Sequence, residues 1–173
     1  MSEQTSEKEK WRVWDDERSY GETLFKRATG DLPEMESSKK MAKEIGRCLR
    51  PADRVLDVGC GAGHYLRSFR RILGDDFHYS GVDATKNYID LARKAFGADP
   101  RASFQLGDVF ELPCEDRSFD LVMSNNLLLH LPSIAKPMQE LIRVAKRSVL
   151  VRTLIGERSF RIQDVHLGAC EFE

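Results

Sequence analysis

Apolar residues between Gly30 and Gly156 follow two alternating patterns. Some stretches space them by three and four, the period of a helix that buries one face. Others are short unbroken runs, as expected of a strand buried on both sides. Met35, Met41, Ala42, Ile45 and Leu49 share helical spacing and predict a helix over residues 34–49, ended by Pro51. Val55, Leu56 and Val58 form the first strand-like run. Leu66, Phe69 and Leu73 then lie on one face of a helix over 65–73 that stops at Gly74. The alternation continues with a strand at 77–83, a helix at 85–96 capped by Thr85, a strand at 103–106 and a strand at 119–123. A helix at 134–145 and a strand at 148–154 complete it. Strands alternating with helices in this way predict an α/β fold: a doubly wound, mainly parallel sheet with helices on both faces.

A chain of 173 residues with 41% hydrophobic content can bury one core and is too short for two ordinary domains. The expected organisation is a single domain, with an N-terminal helical segment over 1–50, a core over 51–156 and a short tail over 157–173. With 27 basic and 28 acidic residues, no field over the whole molecule would gather nucleic acid or an anionic membrane. Arg67, Arg70 and Arg71 are best read as the solvated face of a helix. Cys48, Cys60, Cys114 and Cys170 form no paired motif and no metal-ligand spacing, which points to reduced thiols and a cytoplasmic protein without a metal site. The polar N-terminus MSEQTSEKEK has no apolar core of a signal peptide, and no run of about 18 apolar residues occurs, so membrane insertion is not expected.

The segment VLDVGCGAGHY, residues 55–65, carries the most chemistry. A buried strand runs directly into Gly59, Gly61 and Gly63, a turn stripped of side chains, where a ligand can approach the backbone. Asp57 lies inside the apolar run. A pyrophosphate would be repelled there, whereas a ligand with a positive end would not. Asp83 and Asp108 fall at or beside the ends of the next two predicted strands, each one strand–helix unit further on, so the three acids would line one rim. In an open parallel sheet that rim is where ligands bind. A carboxylate after the second strand suits a ribose, because it accepts from two vicinal hydroxyls.

An acid followed by GxGxG resembles the cofactor-binding motif of class I S-adenosylmethionine-dependent methyltransferases; the GxGxxG of NAD-binding proteins would require glycine in place of His64. The resemblance spans about residues 34–154 and implies a Rossmann-like fold binding S-adenosylmethionine. It implies cofactor contacts from Asp57, Gly59, Cys60 and Gly61, with Asp57 near the methionine end. It adds Asp83 and Ala84 beside the ribose, Asp108 and Val109 beside the adenine, and Asn125 after the fourth strand. FDLVMSNNLLLHLP, residues 119–132, resembles the family segment that runs beneath the methyl group and the acceptor, making Ser124, Asn125 and Asn126 ligand candidates. NPPY, DPPY and a paired-glutamate loop do not occur, which argues against amide, base or arginine nitrogens as acceptors. His130 resembles a histidine common in small-molecule members, where it would serve as a general base; the alternative is a packed histidine among leucines. No residue is assigned to catalysis, because displacement at a sulfonium needs alignment and dryness before it needs an acid or base. Cys60 is expected for its small size.

The aromatics Trp11, Trp14, Tyr20 and Phe25 are expected either to form a lid over the site or to pack the first helix, with packing favoured for two of the four. Against the family pattern, the strands expected after residue 154 are largely missing; 159–162 supplies at most one. The fifth strand would then be an edge, paired in a homodimer or by another chain unless the tail covers it. A small-molecule acceptor is the expected substrate, and a noncatalytic module binding cofactor or a partner is the alternative.

Overall fold

The computed structural model describes residues 18–154. Five parallel strands form one sheet in the order β3-β2-β1-β4-β5. They are β1 (Asp53–Val58), β2 (Phe77–Asp83), β3 (Ala102–Leu106), β4 (Phe119–Asn125) and β5 (Ala145–Arg152). The helices are α1 (Arg18–Thr29), α2 (Glu36–Gly46), α3 (His64–Leu73), α4 (Lys86–Phe96) and α5 (Ala135–Val144), with a single 3₁₀ turn at Leu128–His130. The chain builds outward from β1 to β3, then crosses back to place β4 on the other side of β1. This reversal opens a crevice at the carboxyl ends of β1 and β4.

Side-chain alternation divides the core. Val55, Phe77, Tyr79, Phe104, Leu121 and Met123 face α2, α3 and α4, while Leu56, Val58, Val82 and Val122 face α5 and the 107–118 loop. Both layers are dry: Ile45, Phe69, Tyr79, Leu121 and Leu141 are all but inaccessible to solvent. At the opposite end of the sheet from the crevice, Arg147 of β5 pairs with buried Asp53 of β1 at 2.5 and 3.0 Å, which also accepts the Arg50 amide. This fixes β5 relative to β1 although β4 lies between them.

The elements follow the apolar pattern, with shifts at their ends. The helix expected over 34–49 is α2, which ends at Gly46; the Cys48 and Leu49 amides still bond the Ile45 carbonyl, so the chain tightens into a turn before Pro51. The last strand begins at Ala145 because α5 stops at Val144. Thr85 occupies the N-cap position of α4 but its side chain makes no capping bond. Asp83 braces the turn before the helix, its Oδ1 accepting the Thr85 amide at 2.9 Å. Residues 159–162, Trp11 and Trp14 lie outside the described residues.

Candidate functional site

A cleft of about 1000 Å³, counting its open mouth, lies over the carboxyl ends of β1, β2 and β4 and under α1. Its floor is the glycine turn. Gly59, Gly61 and Gly63 all have positive φ (79°, 54° and 76°), the left-handed region that a side chain would strain. The Gly59 and Cys60 amides both donate to the Val82 carbonyl, at 2.8 and 3.1 Å, pinning the turn to β2. A Cβ at Gly61 would sit 2.7 Å from Cδ1 of Leu24, so α1 is packed directly onto the turn.

Asp57 faces this cleft while only 1% exposed. Its β2 neighbour in register is Gly81, and the Tyr79 hydroxyl donates to Oδ2 at 2.5 Å. Burial pushes the Asp57 carboxyl up to about 7, with the Asp83 charge adding to the rise and the Tyr79 hydrogen bond opposing it. Asp83 accepts the Gly61 amide on Oδ2 and the Thr85 amide on Oδ1, both at 2.9 Å. Its carboxylate thus ties the glycine turn to the start of α4 and lines the cleft. Ala84 lines the wall beside it, as do Gly107 and Val109.

Three sequence candidates lie elsewhere. Asp108 is exposed, and its Oδ1 accepts the Phe110 amide at 2.9 Å, holding the turn after β3; its neighbours Gly107 and Val109 reach the cleft in its place. Cys60 is buried with its thiol toward the core, donating to the Gly61 carbonyl and filling the space beside Gly81. Burial pushes the thiol pKa up, so it is no thiolate nucleophile. Ser124 is also turned inward, its hydroxyl donating to the Val58 carbonyl at 3.0 Å.

Several polar atoms at the cleft have no hydrogen-bond partner among the described residues. Both amide atoms of Asn125, Nδ1 of His64 and the Tyr65 hydroxyl are buried and unbonded, and all three residues line the cleft. Such atoms cost free energy unless a ligand or water meets them. Burial holds the His64 imidazole neutral, with a pKa near 4, helped by the Arg27 charge. His130 lies at the exposed rim and burial lowers its pKa as well. Of the N-terminal aromatics, Tyr20 lines the cleft and Phe25 packs beneath Lys94.

Tyr79, Tyr65 and His64 were not singled out by the sequence. The available signal was alternation: Phe77, Tyr79 and Gly81 share one face of β2, and pairing Val55 with Tyr79 directs the phenol toward Asp57. That signal requires the strand register.

Among the described residues no cluster of metal-ligating side chains occurs, and no helix is long and apolar enough to cross a membrane. Residues 49–161 match the family model described as a methyltransferase domain. The chain is 28% identical over 113 residues to the demethylmenaquinone methyltransferase of Staphylococcus aureus, covering 65% of this chain and 46% of that protein. The structure of a putative sarcosine dimethylglycine methyltransferase from Galdieria sulphuraria is similar with TM-score 0.58 and 26% identity, over 64% of this chain and 43% of that one. A putative S-adenosylmethionine-dependent methyltransferase from Methanococcus maripaludis shares the fold over 88% of this chain and 67% of its own, with TM-score 0.63 and 22% identity. The chain spans less than half the length of the curated relatives it matches. The glycine turn, the acids set around it and the matched span of residues 49–161 place the chain in the methyltransferase-domain family.

Proposed function

We propose that this cleft binds S-adenosylmethionine and transfers its methyl group to a small-molecule acceptor. The observation that carries the reading is Asp57: a buried carboxyl facing the cleft directly before a glycine turn, which suits a ligand with a cationic end and disfavours a pyrophosphate. The cradle fits the group, since Gly59 and Gly61 offer backbone where a Cβ would collide with Leu127 or Leu24, and unpartnered polar atoms face the space. Bound here, S-adenosylmethionine would supply an electrophilic methyl group on a sulfonium. Asp57 would release its proton and face the ammonium of the methionine end. Asp83 would accept from the ribose hydroxyls, while Ala84, Gly107 and Val109 would supply the wall against the base. Asn125 would offer its amide near the methyl and the acceptor.

The chain's further contribution is alignment and exclusion of water, through α1 packed over the turn and the dry walls beneath it. His130, at the open rim, is placed to receive a proton from an acceptor that must lose one. Two relatives named for small-molecule acceptors support the acceptor class. We also read the outer edge of β5, which pairs with no strand among the described residues, as a place where residues beyond 154 or a second chain add to the sheet. Thermal melts with S-adenosylhomocysteine and with NAD test the cofactor, because a ligand that binds only the native state raises the melting temperature. We expect a shift with the former and none with the latter; the reverse result would overturn the assignment.

A further inference from the structure

We propose that the β4–β5 end of the cleft recognises a carboxylate on the acceptor, with Arg152 as the specificity-determining residue. The proposal rests on the reading of the cleft as a methyl-transfer site and adds the chemical class of its substrate.

Arg152 is the last residue of β5 and lies beside Asn125 in register. A reciprocal latch fixes it there. The Asn126 amide donates to the Arg152 carbonyl at 2.8 Å, and Nη1 of Arg152 donates to Oδ1 of Asn126. Asn126 adopts φ 57° to make both bonds, and it lines the cleft. Arg152 is itself exposed and lies outside the cleft lining, so the latch holds its guanidinium at the rim, against the cleft-lining Asn126.

Among the described residues its charge has no acidic partner. Arg70 pairs with Asp99, Arg143 with Glu140 and Arg147 with Asp53; among the described residues no carboxylate reaches ion-pair distance of Arg152. One bond from Nη1 leaves most of the five-donor fork of a guanidinium unused. Next to it, Asn125 is 9% exposed with both amide atoms unpartnered, and Tyr65 is 4% exposed with its hydroxyl unpartnered. Burial raises the Tyr65 pKa, Ser37 beside it acts against the rise, and Arg152 is near enough for its charge to act in the same sense as Ser37. A cation and neutral donors therefore converge on one end of the cleft.

The two ends are electrically opposite. Asp83 on β2, joined by Asp57 on β1 once it releases its proton, draws the positive part of a ligand toward the glycine turn and repels an anion from it. An acceptor carrying a carboxylate would be drawn instead to the β4–β5 end and paired bidentately, which fixes orientation as well as adding attraction. A single guanidinium flanked by neutral groups balances one negative charge, so a carboxylate suits it better than a doubly charged phosphate.

The test compares acids with their primary amides: sarcosine, 3-hydroxybenzoate and 3-mercaptopropionate against sarcosinamide, 3-hydroxybenzamide and 3-mercaptopropionamide. Phenyl phosphate is the dianion control. Affinity is measured by calorimetry with S-adenosylhomocysteine present, and transfer with S-adenosylmethionine. We expect at least one acid to be preferred over its amide by about tenfold or more, the worth of one charge-assisted pair. R152Q should reduce that preference to within about twofold, and R152K should restore part of it, while S-adenosylhomocysteine affinity stays within about twofold of the parent. A merely structural role for Arg152 would move both ligands together and would not alter the acid-to-amide ratio. Equal binding of acids and amides, binding of no acid, a stronger preference for phenyl phosphate, or a preference that survives R152Q would overturn the proposal. If S-adenosylhomocysteine fails to bind but the acid preference appears and depends on Arg152, the cofactor assignment falls and the anion site stands.

Discussion

Replacing Asp57 with asparagine should stabilise the ligand-free fold at alkaline pH while destroying its response to the cofactor. The carboxyl titrates near 7 in the fold and near 3.8 when unfolded. Between those values the unfolded chain has released the proton and the native chain still holds it. The native state therefore binds more protons, and stability falls as pH rises through this window. The penalty is complete above about pH 7 and amounts to about 4 kcal/mol at most, taking ~1.4 kcal/mol per tenfold in the proton equilibrium. Asparagine removes the titration. It can still accept from the Tyr79 hydroxyl, but its amide hydrogens are left buried, at a cost of about 1–3 kcal/mol.

The decisive quantity is thus the change with pH in the difference between variant and parent, in which the amide cost cancels. This difference should grow by about 2–3 kcal/mol in the variant's favour from pH 5 to pH 8, or roughly 4–12 °C in melting temperature for a chain of this size. His64 acts in the opposite direction, since its pKa is lowered to about 4 and the fold loses stability as pH falls below the ordinary 6.5. Both proteins carry it, so it also cancels. Thermal melts followed by circular dichroism at the two pH values give the result directly. A difference that stays constant from pH 5 to pH 8 would refute the argument that Asp57 is held protonated by burial. Loss of the S-adenosylhomocysteine-induced shift in the same variant would tie the strained carboxyl to binding.

The other variants probe neighbouring groups. Asp83→Ala should weaken S-adenosylhomocysteine binding by about 1.5–3 kcal/mol, whereas Asp76→Ala, which loses an exposed pair with Arg101, should change it by less than about 0.5 kcal/mol; calorimetry showing equal losses would displace Asp83 from the ribose. Tyr79→Phe removes the hydrogen bond that lowers the Asp57 pKa, so the pH at which affinity reaches half its maximum should move upward. An unmoved midpoint would separate Tyr79 from the site. Val151→Lys on β5 should alter the assembly or solubility measured by light scattering; a stable monomer unaffected by the change would remove β5 as a pairing edge.

The sheet was legible because its strands are buried on both faces: runs such as Val55 to Val58 and Leu121 to Met123 can satisfy neither a surface strand nor an amphipathic helix. The same runs located the rim, and the structure brings Asp57, Gly59, Gly61, Asp83, Ala84, Val109 and Asn125 to one cleft. Its side-chain directions were less legible, since in extended chain one position decides between ligand and core. Ser124 bonds the Val58 carbonyl while Asn125 opens onto the cleft, and Asp108 caps its own turn while Val109 lines the wall. Tyr79 is further from reach, because its contact with Asp57 joins residues on different strands and depends on which residue of β1 opposes which residue of β2. The latch between Asn126 and Arg152 depends likewise on β5 lying beside β4, an order that apolar runs do not encode. A chain pattern can thus announce acids and glycines within one turn. The pairings that set the charge of the opposite end, on which the proposed acceptor preference depends, arise only when the sheet brings distant strands together.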